Sequence, residues 1–482
     1  MIKGSYGDDA PIAAHATPLG ESALAVIRIS GKSSIDIFAK GFSRPKALVE
    51  APGNTIVYGW VLDNDNNHID ELLTSVFRAP RSYTGEDSLD ISCHGGIAAA
   101  KAIMKRLREL GFREALPGEF TFRAFMNGKL DLTKAESVME LVSAKSDESR
   151  SHAVSRLSGA LESEINSVKD LLVGALASTE LFLDYSEDDG AGLSAADGGA
   201  QSDEAAGRLP DRSSVLEALH RIKRLSDSYS RERLFSEGAL VVIAGRPNSG
   251  KSSLFNTLLK EDRSIVTDIP GTTRDWIEAW IAVGGIPIRL IDTAGFQESS
   301  DPVELLGIER SRSFLHAADL VLYLVDGKEG IREEDRAFIK LFHEEKPTTP
   351  MMLLWNKVDA APLPASLHID DVKILLPISA KKNLGIDILG DEIASILEKQ
   401  FGGNTEENDS TKAGIATERQ KELINRAEAA LTEALELADA MRPLDIIAPC
   451  LREAVNALGE ITGEVSTADI LDAMFSRFCI GK

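Results

Sequence analysis

Cysteine is scarce in this chain, three in 482 residues, which excludes a disulfide framework. Long apolar runs are missing as well. None approaches the roughly 20 residues that span a bilayer, and residues 1–11 hold no apolar stretch of the kind a secretory signal needs. Both absences lead to the expectation of a cytoplasmic protein with no membrane partner. Basic residues are outnumbered, 53 Lys and Arg against 76 Asp and Glu, for a net charge of −23. Such a field repels phosphate backbones at long range, which argues against this chain as the main grip on a nucleic acid. Any RNA contact is expected to be local or shared with a partner. Chelating spacing is lacking too, since Cys93 and His94 are adjacent. Cys479-Ile-Gly-Lys482 mimics a prenylation ending, but Gly at its third place and Lys at its last do not suit that modification.

What the chain has is material for packed cores, 43% hydrophobic residues in a length that suggests about three folding units. Residues 22–30, 55–62, 72–80 and 88–94 read as strands and 97–110 as a helix, together a compact α+β domain. From about residue 134 the pattern turns helical. Leu157, Leu161, Ile165, Val168, Leu172, Leu176 and Thr179 recur at steps of three or four, which predicts one long amphipathic helix. It is expected to stop in residues 184–204, a tract with seven acidic residues and no Lys or Arg. That composition reads as a mobile surface loop, or as an acidic docking segment for a basic partner.

Between residues 238 and 400 strands and helices alternate, as a doubly wound parallel sheet requires, with strands expected at 239–244, 286–291, 320–325, 351–355 and 374–378. After a polar linker at 402–414, Leu423, Ala427, Ala430, Leu431, Ala434 and Ala438 restore helical spacing. The flanking helical segments can then pack together, with the α/β part as an insertion, which needs only that its two ends lie close.

Gly245-Arg-Pro-Asn-Ser-Gly-Lys251-Ser252 matches GxxxxGK[ST] after a strand and before a helix. Its glycines let backbone amides, including those of Asn248, Ser249, Gly250 and Ser253, curl around phosphate oxygens at a helix N-terminus. Lys251 then brings a charge to the β- and γ-phosphates and Ser252 a hydroxyl to Mg²⁺. Asp292-Thr293-Ala294-Gly295 ends the next strong strand, where Asp292 can hold a Mg²⁺-bound water and the Gly295 amide can meet the γ-phosphate. Asn356-Lys357-Val358-Asp359 follows a later strand. The carboxylate of Asp359 can accept from both the N1 and N2 donors of guanine, which adenine does not offer together. Ser379-Ala380-Lys381 is similar to the loop whose amide meets guanine O6. Four motifs in this order, each at a strand's carboxyl end, are specific because ligands of open α/β sheets bind there. In Gly271-Thr272-Thr273-Arg274-Asp275, Thr273 is the candidate Mg²⁺ ligand of a switch loop, against an ordinary Gly-centred turn.

GRPNSGKSSLFN, TDIPGTTRD, DTAGFQES and FCIGK together resemble the MnmE (TrmE) family of tRNA-modification GTPases over nearly the whole chain. The resemblance implies a multidomain homodimer: a folate-binding-type α+β domain at 1–127, a discontinuous helical domain at 128–233 and 401–482, and an inserted α/β P-loop GTPase domain at 234–400. It also implies a heterotetramer with the flavoprotein MnmG that installs an aminomethyl-type group on C5 of the wobble uridine of tRNA. Regulatory GTPases carry a water-orienting Gln directly after DTAG, whereas this chain has Phe296. In the family a Glu of the second switch takes that role, at the position of Glu304 here. A K⁺ ion replaces the arginine finger, held by Asn248, Thr267, Ile269 and Thr272, and is asked to supply much of the roughly 10³ to 10⁵ in rate that a finger gives. Folate, as a 5-formyl- or 5,10-methylene-tetrahydrofolate, is implied at Arg28, Glu86, Lys129 and Lys482. The family's Gly-rich stretch before VIRISG is replaced by residues 17–23, TPLGESA, a stiffer loop. Cys479 reads either as a structural thiol or as a nucleophile in the one-carbon chemistry.

A nucleotide switch governing ribosome or complex assembly would share the GTPase segment. It would also carry a basic RNA-binding appendage, which this acidic chain lacks.

Overall fold

The structure is a computed structural model that describes residues 6, 8–188, 209–260, 264–265, 277–292, 313–364, 372, 374–402, 413–464 and 468–482. Two compact units result, residues 1–139 with 456–482, and residues 140–455.

In the first unit, β1 (Ile12–His15), β2 (Leu24–Ser30), β3 (Thr55–Leu62), β4 (His68–Phe77), β5 (Ser88–His94) and β6 (Arg113–Glu114) form one sheet in the order β3-β4-β5-β2-β1-β6. Only the β1–β6 pair is parallel. Alternation places Val57, Val61, Leu72, Val76, Leu89, Ile91, Ile27 and Ile29 on one face. There they pack with Ile35 and Phe38 of α1 (Ser34–Ala39), Leu48 of α2 (Pro45–Val49) and Ile103 and Leu107 of α3 (Ile97–Leu110), each such side chain stabilising the unit by about 1.5 to 3 kcal/mol. Gly111 at φ 107 ends α3. Strands β3 and β5 and helix α3 have the bounds expected from the sequence. Next come α4 (Glu119–Met126) and α5 (Leu132–Ser143).

The chain's last segment belongs to this same unit. Phe475 and Phe478 join Leu132 and Ala135 in a small core, with Phe122 and Phe125 packed against it. Gly118, at φ 67, is required there, because a Cβ would lie 2.8 Å from that of Phe478.

The second unit opens with α6 (Asp147–Leu157), α7 (Ala160–Asp188) and α8 (Arg212–Glu237). The single helix expected through Leu157 and Leu161 is therefore two. Gly159 takes φ 97 and its amide closes on the Arg156 carbonyl, an αL stop that the apolar spacing alone could not reveal. Helix α7 also continues five residues into the acidic tract before the described residues end at 188. The rest of that tract, and 403–412 of the linker, lie outside them.

Seven strands follow in the order β13-β12-β11-β7-β10-β9-β8. Strands β7 (Ala239–Gly245), β10 (Ile286–Asp292), β11 (Leu320–Asp326), β12 (Met351–Asn356) and β13 (Ile374–Pro377) are parallel and are the five expected strands. The sheet is not purely parallel, because β9 (Ile277–Val283) and β8 (Ser264–Ile265) extend its edge antiparallel. Helices α9 (Lys251–Lys260), α10 (Glu333–Glu345) and α11 (Ile386–Phe401) pack on it. Helix α8 lies against α7 and against α12 (Glu418–Asp439), so the helical segments before and after the sheet do meet. Helix α13 (Leu444–Thr462) and α14 (Ala468–Phe475) complete the chain. No helix among the described residues is long and apolar enough to cross a membrane.

Candidate functional site

Parallel pairing aligns the carboxyl ends of β7, β10, β11 and β12, so four loops open on one edge of the sheet. The loop after β7 needs glycine at both ends. Gly245 has φ 138 and a Cβ would sit 2.4 Å from the Leu324 carbonyl oxygen; Gly250 has φ 104 and a Cβ would strike the Asn356 amide nitrogen at 2.2 Å. Asn248 between them adopts φ 63, a left-handed conformation that Asn tolerates. The loop thus wraps around Lys251, whose Nζ donates to the carbonyls of Gly245 at 2.9 Å and Arg246 at 3.0 Å. Burial pushes the Lys251 ammonium below its ordinary pKa, with Asp292 opposing. A phosphate arriving there would favour the charged form of the ammonium.

Ser252 donates to Asp292 Oδ2 at 2.7 Å. The other oxygen, Asp292 Oδ1, is buried and has no hydrogen-bond partner among the described residues. An orphaned carboxylate oxygen beside a hydroxyl fits a hydrated Mg²⁺ ion.

Asn356, 2% exposed, joins the loops. Its Nδ2 donates to the Ser249 carbonyl at 2.7 Å, and its Oδ1 accepts from the amides of Lys357 at 2.9 Å and Ala380 at 3.1 Å. Lys357 reaches back to the Asn248 carbonyl at 2.9 Å and to Asp326 at 2.6 Å. Asp359 accepts from the Ser379 hydroxyl at 2.6 Å, which holds its carboxyl below the usual range. Lys381 is exposed on the same loop. Two partners were missed in the sequence. Asp326 holds Lys357, and its signal was its place at the end of a strand, in register with Asn356. Arg246 is tied to the buried Asp335 at 3.0 Å and to Glu329 at 2.9 Å, pairings more than eighty residues apart that left no local trace. Thr267, Ile269, Thr272, Thr273, Thr293, Ala294, Gly295 and Glu304 lie outside the described residues; Ser253 is exposed in the first turn of α9.

The first unit carries a second polar cluster. Arg28 pairs with Asp90 at 2.8 Å, lies 5.9 Å from the ring centres of Tyr83 and Phe120, and reaches the Gly481 carbonyl at 3.5 Å. Glu86 accepts from Ser30 at 2.8 Å and from Arg123 at 3.2 Å, and Arg123 is held in turn by the fully buried Glu119 at 3.0 Å. Lys129 donates to the Pro80 carbonyl at 2.9 Å and its stem flanks Gly85, next to Glu86. Lys482 follows Gly481, whose φ of 93 and closeness to the His15 carbonyl bring the tail to β1. Arg28, Glu86, Lys129 and Lys482 therefore border one region of the unit. Arg123 and Glu119 were missed, although their i,i+4 spacing on α4 was visible. Cys93 is buried, and that burial, assisted by Asp70, pushes its thiol up to about 11. Cys479 is exposed and its carbonyl accepts from the Gly118 amide at 3.2 Å.

The family model described as the MnmE helical domain matches residues 132–479, most of the chain. This chain belongs to the MnmE family. A second model, the GTP-binding protein TrmE N-terminus, matches residues 11–129. Among MnmE relatives, the tRNA modification GTPase MnmE of Treponema denticola is 42% identical over 494 residues, covering 100% of both chains. The proteins of the same name from Carboxydothermus hydrogenoformans and Borreliella afzelii are 38% and 40% identical, over 98% of this chain and 99% and 98% of theirs. The MnmE helical match begins before the phosphate loop and ends after it, so the nucleotide-binding sheet lies inside the matched range.

Proposed function

We propose that this chain is a GTP hydrolase whose turnover drives tRNA modification, acting as a homodimer with an MnmG-type flavoprotein to place an aminomethyl-type group on C5 of the wobble uridine. The observation that carries the GTP part is Asn356, which ties the phosphate loop at Ser249 to the base-reading loop at Ala380. Such a site is organised for the whole nucleotide before it arrives, so binding energy is not spent on ordering it. Asp359 reads the guanine N1 and N2 donors, a backbone amide of the Ser379-Ala380-Lys381 loop meets O6, and Lys251 with the amides of residues 248–253 holds the phosphates. Ser252 and Thr273 are assigned as Mg²⁺ ligands, with Asp292 orienting the ion's water shell.

Phe296 offers no group to orient water, and Glu304 is assigned that task. Asn248, with Thr267, Ile269 and Thr272, is assigned to K⁺, which supplies the positive charge that an arginine finger gives elsewhere. The division into 1–127, 128–233, 234–400 and 401–482 is supported by the contact between α8 and α12 on either side of the sheet. Arg28, Glu86, Lys129 and Lys482 are assigned to a tetrahydrofolate derivative. Their donors and acceptors suit it: a guanidinium for a glutamate carboxylate and a carboxylate for pterin N–H groups.

Phosphate release from GTP in K⁺ and Na⁺ buffers of equal ionic strength, for wild type and Glu304→Ala, tests the hydrolytic part. Turnover is expected to need K⁺ and to fall in the variant with GTP affinity kept. Equal rates in both salts, or an unchanged kcat in the variant, would contradict it.

A further inference from the structure

Helix α6 stands between the turn of the β9–β10 hairpin and the two places where the chain passes between the helical segments and the nucleotide-binding sheet. Glu148, in its first turn, packs on Gly285, where a Cβ would come within 2.4 Å of the carboxyl carbon. Ser149 donates to the Phe235 carbonyl at 2.5 Å, and His152 stacks on the Phe235 ring with centroids 4.8 Å apart. Phe235 itself belongs to the core under the nucleotide-binding sheet. Nδ1 of His152 lies 2.9 and 3.0 Å from the two oxygens of Glu232. Arg156, 2% exposed, pairs with Glu232 and, at 2.6 Å, with Glu140. Burial alone would raise the Glu232 carboxyl, but His152 and Arg156 outweigh it and hold the group ionised.

The returning chain crossing meets Glu232 directly, and the outgoing one lies six residues beyond it at the end of α8. The outgoing chain leaves α8 through Gly238, whose φ of 79 and lack of a Cβ admit the Trp280 ring and the Pro287 carbonyl of the hairpin. The returning chain passes at Gly414, where a Cβ would lie 2.4 Å from Glu232 Cγ, and the Ile415 amide donates to Ser228 at 3.3 Å. The hairpin's other end is at the nucleotide site. Strand β9 begins one residue after TDIPGTTRD, and β10 ends on Asp292. Between these ends the register runs unbroken from Ile277↔Asp292 to Val283↔Ile286, braced by Arg289 on Glu278 at 2.7 Å. A paired hairpin of this kind moves as one piece, so a shift at Asp292 reaches Gly285 and Glu148.

We propose that α6 is the joint through which the nucleotide site positions the helical segments, with Glu148 and His152 as its contacts and Arg156 as its anchor. These are positioning residues, and the role rests on the GTPase reading above. Arg156 itself is a poor probe, because its removal leaves two carboxylates unpaired in the interior. The double variant Glu148→Ala, His152→Phe keeps the ring on Phe235 and removes the wedge and the bond to Glu232.

Hydrogen exchange of the full chain with GDP and with a non-hydrolysable GTP analogue is the test. In wild type, protection at residues 147–157 and 228–237 is expected to differ between the two nucleotides along with the phosphate loop. In the double variant the phosphate-loop response stays, while the helical response falls about fivefold or more. GTP turnover is then retained and tRNA modification lost. A wild-type phosphate loop that responds without α6, or a variant whose α6 responds as before, overturns the joint. So does a variant that loses Tm and both activities together, which marks a merely structural role. A phosphate loop indifferent to either nucleotide would instead overturn the GTPase reading itself.

Discussion

Asn356 donates to the Ser249 carbonyl at 2.7 Å across 107 residues of chain, and the same side chain accepts from the Ala380 amide at 3.1 Å. Replacing it with Ala leaves a buried carbonyl and two amides without partners, a loss of about 1 to 3 kcal/mol. GTP affinity of Asn356→Ala should fall roughly 5- to 150-fold by titration calorimetry. Wild-type affinity in this variant would mean that the two loops are organised by other contacts.

Base choice is assigned to Asp359. In Asp359→Asn the amide presents one acceptor and one donor, so GTP binding should weaken and xanthosine triphosphate, with an oxygen in place of the guanine amino group, should partly regain it. Equal GTP affinity in wild type and variant would show that Asn356-Lys-Val-Asp359 does not read the base.

The hydrogen bond from Ser379 also sets a pH limit. It lowers the Asp359 pKa, so the guanine-accepting carboxylate persists below the ordinary range and is lost only as pH falls through the lowered value. Ser379→Ala should move the acid limb of GDP binding upward toward the ordinary carboxylate range, readable by titrating a fluorescent GDP analogue from about pH 5 down through that range. Superimposable limbs would remove the hydroxyl from any such role.

The tail is held more firmly than a free end requires. Phe478 is buried against Gly118, the Cys479 carbonyl accepts from the Gly118 amide, and Gly481 lies on the His15 carbonyl and under Arg28. Deleting residues 479–482 should abolish tRNA modification and leave K⁺-stimulated phosphate release largely intact, because the nucleotide loops belong to the other compact unit. Normal modification by the truncated chain would strike Lys482 from the folate assignment.

Much of this was legible because phosphate and guanine recognition demand particular residues at fixed spacing. Lys251, Asp292, Asn356 and Ala380 could be placed before any coordinates, since strand ends in a parallel sheet bring them together. What escaped was set by tertiary contact. Strand β9 is the exception: between IEAWIAV and β10 the chain reads Gly284-Gly285, a two-residue hairpin turn that is itself a local sequence signal. The break at Gly159 depends on one positive φ inside an otherwise continuous apolar stripe. Arg246 with Asp335, and Arg123 with Glu86, are charges from distant elements that the sequence presents as ordinary surface residues.

The central claim, GTP turnover driving wobble-uridine modification, is tested most directly by mass spectrometry of tRNA. Nucleosides from a strain deleted for this gene are compared after complementation with the wild-type chain and with Lys251→Ala. The expected result is an aminomethyl-type group at C5 restored by the wild type and absent with the variant. An unmodified wobble uridine with the wild-type chain, or full modification with Lys251→Ala, would contradict it.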